Sequence, residues 1–170
     1  MSDSEPIIAL ENVYKIFGPN PRGRAFDLCS AGVGKDEVQR QTGHVVGMRD
    51  ISFEVQKGEI FVVMGLSGSG KSTAIRTVNK LHDVTHGRVL VEGTDVQQLR
   101  GAALQAFRRE KTAMVFQHFA LFPHRNVIDN TAYGLKVQGV DKKERHEAAI
   151  EALAMVGLEA YAFNATRQLS

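Results

Sequence analysis

Eight consecutive residues carry the most specific chemistry in this chain: Gly65, Leu66, Ser67, Gly68, Ser69, Gly70, Lys71 and Ser72. They match the pattern Gly-x-x-x-x-Gly-Lys-Ser/Thr at every fixed position. A polyphosphate presents many acceptor oxygens, and backbone N–H groups are the donors that can meet them at close range. Glycines let successive amides turn inward with no Cβ in the way. A helix starting where the loop ends aims its positive end at the anion. Lys71 can reach the β- and γ-phosphates as a point charge, and the Ser72 hydroxyl can ligate Mg2+. The expected ligand is therefore ATP or a close relative, with Mg2+.

Other candidates are weaker. Gly34-Lys35 lacks a glycine at Cys29 and a Ser or Thr at Asp36, so it fails the same pattern twice. His82-Asp83-Val84-Thr85-His86 imitates a zinc-protease helix but has Asp for Glu and stands before Gly87; its histidines are expected to face a helix end or solvent. Val89-Leu90-Val91-Glu92 resembles an acidic strand end, but the following Gly93 favours a hairpin turn. The charges in 108–111 and 142–145 read as solvated helix faces.

The elements that must position the loop follow from periodicity. Residues 7–17 read as a strand, with Ile8, Leu10, Val13 and Tyr14 among polar neighbours. Residues 18–43 break the pattern with Gly18-Pro19-Asn20-Pro21 and predict a surface insertion with short helices near 25–31 and 35–41. Ile51, Phe53 and Val55 alternate as a half-buried strand before a turn at Lys57-Gly58. The apolar run 60–64 predicts a strand buried on both faces of a parallel sheet, and 112–116 predicts a second. Residues 71–81 predict a helix burying Ala74, Ile75, Val78 and Leu81. Further helices are expected at 102–110 and 127–138. After a short strand at 87–91, the turn is placed at Glu92-Gly93. Asp141 is expected to cap a last helix, with Glu144 three residues on, a core stripe of Ala149, Ile150, Leu153 and Val156, and Gly157 as its end.

Composition bounds the class. The 170 residues are 43% hydrophobic and 24% charged, which suits a globular domain and excludes a disordered tail. A formal charge of +2 supplies no strong basic field, so no nucleic-acid partner is expected. The one cysteine, Cys29, cannot form an internal disulfide, which fits a reducing, cytoplasmic setting. No signal peptide is visible, and no apolar run approaches the ~20 residues of a membrane helix. A membrane role would have to come through a partner.

Taken together, residues 65–73, Val115-Phe116-Gln117 and Phe122-Pro123-His124 resemble the ATP-binding subunits of ABC transporters. The run 60–73, the segment Asn12-Val13-Tyr14-Lys15-Ile16-Phe17-Gly18 and the insertion at 18–43 resemble the glycine betaine/proline import branch. The implied fold is α/β, a partial P-loop NTPase domain. The implied organisation is an N-terminal antiparallel β region over 1–64, the phosphate loop with its helix and strands over 65–116, and the start of a helical subdomain over 117–170. By spacing alone Phe17 is an ordinary core residue; by resemblance it stacks on adenine. Gln117 by spacing is a loop or helix cap; by resemblance it positions Mg2+ or the attacking water and marks the loop that senses the membrane subunit. Resemblance also makes Lys71 catalytic, Ser72 and Gln117 the Mg2+ ligands, and Phe17 and residues 65–73, including Thr73, the ATP contacts. His118 and His124 are expected on the loop facing the transporter partner.

The resemblance stops at Leu169-Ser170, where the family's signature motif would begin. No run of four apolar residues ending in Asp-Glu follows Ser72, so the Walker B aspartate, the catalytic glutamate and the switch histidine have no candidates. The expectation is the N-terminal part of a larger ATPase, able to bind ATP but not to hydrolyse it alone. The intact subunit would form a head-to-tail dimer on transmembrane permease subunits, at the inner face of the membrane. It would serve a periplasmic or extracellular binding protein indirectly and drive osmolyte uptake. The alternative is a non-transport P-loop protein such as a small kinase; the sixty-odd residues before the loop, Phe17 and Gln117 speak against it.

Overall fold

The computed structural model describes residues 5–116 and 121–169. The chain divides into two compact units, Met1–Leu104 and Gln105–Ser170.

The first unit is built on a four-stranded antiparallel sheet in the order β2-β1-β3-β4. Its central strand β1 (Ile8–Phe17) pairs with β2 (Val45–Val55) from Ile8↔Val55 to Phe17↔Val45. On its other side it pairs with β3 (His86–Val91), from Ile8↔Val91 to Tyr14↔His86. Where that ladder ends, the buried Thr85 takes over: its amide donates to the Tyr14 carbonyl and its hydroxyl accepts from the Ile16 amide at 2.9 Å. Strand β3 turns at Glu92 and Gly93, both at positive φ, into β4 (Thr94–Asp95), the hairpin that the sequence predicts.

The insertion at 18–43 forms the expected helices, α1 (Arg24–Ser30) and α2 (Lys35–Thr42). It is not a mere surface excursion. Ala25, Cys29 and Val38 are buried with Ile16 in one apolar cluster, and Tyr14, Phe26 and Val46 pack against it. Arg49 of β2 donates to the carbonyls of Gly32 and Val33, which ties the insertion to the sheet.

Helix α3 (Lys71–Val78) is shorter than predicted. Lys80 takes φ 52, and the amides of Leu81 and His82 both return to the Arg76 carbonyl, closing the helix in a left-handed turn. Its predicted stripe is therefore only partly right. Ala74 is buried, but Ile75 and Leu81 are exposed, and Thr77 is buried instead with its hydroxyl donating to the Ala74 carbonyl at 2.7 Å.

The two predicted parallel strands are absent. Residues 60–64 and 112–116 belong to no strand among the described residues. Ile60 is 91% exposed, Met64 84% and Val115 97%. A strand exists only through a neighbour that takes its N–H and C=O groups. After β2 the chain is turned aside: Glu59 Oε2 captures the Gln56 amide at 2.7 Å, and Phe61 stacks on Phe53 at 4.8 Å without a ladder forming.

Helix α4 (Gly101–Glu110) straddles the division between the units. In the second unit the predicted helix at 127–138 is two pieces, α5 (Val127–Thr131) and α6 (Tyr133–Val137). The break is at Ala132, where ψ of −2° tightens the turn. Asp141 caps α7 (Lys142–Ala154) by accepting the Lys143 amide at 2.8 Å. Its carboxyl is held below the usual value by backbone N–H donors, Lys143 first. Val127, Ile128, Ala132, Ala149, Leu153 and Ala162 form the core here, while Val156, predicted inside, is 66% exposed. Among the described residues no helix is long and apolar enough to cross a membrane.

Candidate nucleotide site

The glycine-rich loop lies between the end of 60–64 and α3, whose first residue is Lys71. Gly70 precedes the helix at φ 98, a conformation that L side chains rarely adopt. A Cβ there would also lie 2.3 Å from the Gly47 carbonyl oxygen, so only glycine fits. No side chain caps the N-terminus of α3, and its first turn holds no acidic residue. The first amides of a helix have no partner within the helix, so this end is open to an anion.

Lys71 folds back over the loop. Its Nζ donates to the Gly65 carbonyl at 2.8 Å and to the Leu66 carbonyl at 2.7 Å. The loop turns between them, with the Ser69 amide donating to the Leu66 carbonyl at 3.2 Å and Gly68 at φ 77. Residues 65–69 and Ser72 are exposed, and Thr73 is half-buried. An ammonium, an exposed glycine-rich loop, an uncapped helix end and the Ser72 hydroxyl together fit a polyphosphate with a divalent cation.

Phe17, at the end of β1, is half-buried. The Lys15 ammonium lies over its ring, 4.8 Å from the centroid. The His82 ring meets it edge-on at 5.5 Å and 85°. So His82 faces an aromatic ring rather than the helix end or solvent that the sequence suggests. Burial, then the charges of Lys15 and Arg76, push the His82 imidazole below its ordinary value. Burial likewise lowers Lys15, and Asp83 partly offsets it.

One residue that the sequence reading passed over joins these two parts. A Cβ on Gly47 would lie 2.6 Å from Phe17 Cε2, while the Gly47 carbonyl is the atom that crowds Gly70. The structure thus brings both Phe17 and the end of the loop against Gly47. A signal was present: a glycine inside the strand-like run Val45-Val46-Gly47-Met48 often marks a close backbone approach. The insertion also borders the loop. A cavity of about 360 Å3 is lined by Lys35 at the start of α2, by Arg49, and by Gly68 and Ser69.

Gln117 and His118 lie outside the described residues, so their predicted roles have no structural counterpart here. His124 is exposed in its loop, its ring 5.8 Å from that of Phe122.

Comparison with known proteins is consistent with this geometry. The profile of the ABC transporter family matches residues 48–170. The glycine betaine/proline betaine transport system ATP-binding protein ProV of Escherichia coli (strain K12) is 47% identical over 163 residues, covering 96% of this chain and 40% of its own length. The glycine betaine transport ATP-binding protein OpuAA of Bacillus subtilis (strain 168) is 47% identical over 169 residues, covering 99% of this chain and 40% of its own length. The chain therefore spans about two fifths of the length of these relatives. Among solved structures, the ATP-binding cassette MJ0796, in a dimeric post-hydrolysis state bound to ADP and Pi, superposes with a TM-score of 0.76 at 26% identity, over 96% of this chain and 63% of its own. The loop, the antiparallel sheet beside it and the family profile agree: this chain belongs to the ABC transporter family.

Proposed function

We propose that this chain supplies the ATP-binding part of the motor subunit of an ABC importer for glycine betaine- or proline betaine-type osmolytes. The observation that carries the reading is the Lys71 ammonium, held on the Gly65 and Leu66 carbonyls beside an uncapped helix end. In this reading the loop amides and Lys71 bind the phosphates, and Ser72 and Gln117 hold Mg2+. Phe17 receives the adenine ring. Bound Mg2+ would neutralise phosphate charge. Gln117 would also orient the attacking water in the intact subunit. Hydrolysis is not assigned to these 170 residues, because no acidic pair after an apolar run occurs in them.

The named relatives support the choice of osmolyte class. By the same reasoning the chain works at the inner face of the membrane, paired with a second ATPase copy and seated on permease subunits. Residues 117–170 would open its helical subdomain.

Titration with a fluorescent ATP analogue tests the site. Lys71→Ala is expected to weaken binding roughly tenfold or more, since a hydrogen bond to a charged group contributes about 1.5–3 kcal/mol. An unchanged affinity would remove Lys71 from the phosphate site and sink the assignment.

A further inference from the structure

Gly47 stands between the two halves of the candidate site. On one side is the Phe17 ring, so close that a Cβ on Gly47 would fall 2.6 Å from Cε2. On the other is Gly70, whose own Cβ position lies 2.3 Å from the Gly47 oxygen. The pairing steps from Lys15↔Met48 to Ile16↔Val46, so the register shifts at Gly47, which is bulged between two paired residues of β2. The ring has little freedom elsewhere. Lys15 covers one of its faces, and the His82 ring stands nearly perpendicular to it with centroids 5.5 Å apart. A planar base can therefore stack without displacing the ammonium only on the opposite face.

We propose that Gly47 is a positioning residue: by lacking a side chain it lets the Phe17 ring and the end of the phosphate loop close on the same backbone unit, which sets the span between base platform and phosphate cradle. The proposal rests on the nucleotide reading above. It assigns to β2 a part in selecting nucleotides over bare polyphosphate. A methyl at position 47 must push the ring, because the atoms it meets first are Phe17 Cε2 and Cδ2, the far end of a side chain, and Met48 and Val46 on either side of it are paired in the sheet. The carbonyl that packs on Gly70 is untouched by that change. The base contact should then fail while the phosphate contact survives.

Calorimetric titration of the full chain with MgATP and with inorganic tripolyphosphate tests this, using wild type, Gly47→Ala, Phe17→Ala and the double variant. Wild type is expected to prefer ATP. Gly47→Ala should lose about tenfold in ATP affinity, the scale of one base–aromatic stack, while tripolyphosphate binding stays within about twofold. In the Phe17→Ala background, where the methyl has room, Gly47→Ala should cost nothing further. The inference is overturned if Gly47→Ala leaves ATP binding unchanged, weakens both ligands equally, or adds its full loss to that of Phe17→Ala. Should Gly47→Ala alone fail to fold, the double variant decides: ATP affinity equal to that of Phe17→Ala supports the proposal, and a weaker affinity overturns it. A wild type that binds tripolyphosphate as tightly as ATP removes the base platform and this inference, but leaves the phosphate loop assigned. A wild type that binds neither overturns the nucleotide reading itself.

Discussion

At the residue scale, the contacts of Phe17 are the least expected feature of the site. A ring that spacing alone reads as core has an ammonium over one face and an imidazole packed against it nearly at right angles. That neighbourhood makes stability depend on pH in a defined direction. His82 titrates below its ordinary value of 6.5 in the folded chain, so the unfolded chain binds its proton first. The contribution is complete above that value and declines as pH falls through it. It levels off below the depressed folded value. Melting curves from pH 8 to 5 should therefore fall more for wild type than for His82→Gln, with the difference opening below about pH 6.5. Parallel profiles for the two proteins would show that His82 is solvated, contrary to its place against Phe17.

At the element scale, helix periodicity identified which segments are helical but not which apolar residues each one buries. In α7 the same stripe marks Leu153 and Val156, yet Leu153 is 5% exposed and Val156 66%. The difference lies in what faces them: Leu153 meets Val127, Ile128 and Ala162 in one core, while Val156 lies beyond the C-terminus of the helix before Gly157. Leu153→Ala should cost about 2–5 kcal/mol in urea unfolding, the range for a truncated buried leucine. Val156→Ala should stay within about 0.5 kcal/mol. Equal costs would mean that α7 packs through a different face. In the insertion the lesson runs the other way. Its two short helices near 25–31 and 35–41 were expected from the sequence, but the burial of Cys29 and Val38 against Ile16 was not, because that contact spans more than a dozen residues of chain.

At the scale of the whole molecule, the described residues include a four-stranded antiparallel sheet and two segments of buried-strand composition, 60–64 and 112–116, that stay outside it. Backbone amides resist exchange when a ladder or helix holds them, and exchange quickly when only a turn or a side chain does. Hydrogen exchange followed by mass spectrometry should accordingly show rapid labelling over 60–64, while the amides of β1 around Leu10 and Val13 remain protected. Protection of 60–64 equal to that of β1 would mean that this run is paired in solution. Its exposed side chains make it the surface most prone to self-association.

The glycine-rich loop before α3, the strand at β1, the short helices of the insertion, the hairpin at Glu92-Gly93 and the cap at Asp141 were all legible in the sequence. Each is decided by neighbours within a few residues: glycine at positive φ, a carboxylate beside a free amide, a regular period. The place of 60–64 and 112–116 outside the sheet, the exposure of Ile75 and Val156, and the approach of both Phe17 and Gly70 to Gly47 were settled only by tertiary structure. Strand pairing and side-chain burial depend on partners far along the chain, and composition records an appetite for such partners without naming them. For this chain, local chemistry fixes which groups the loop presents, and long-range packing decides where the Phe17 ring stands beside it.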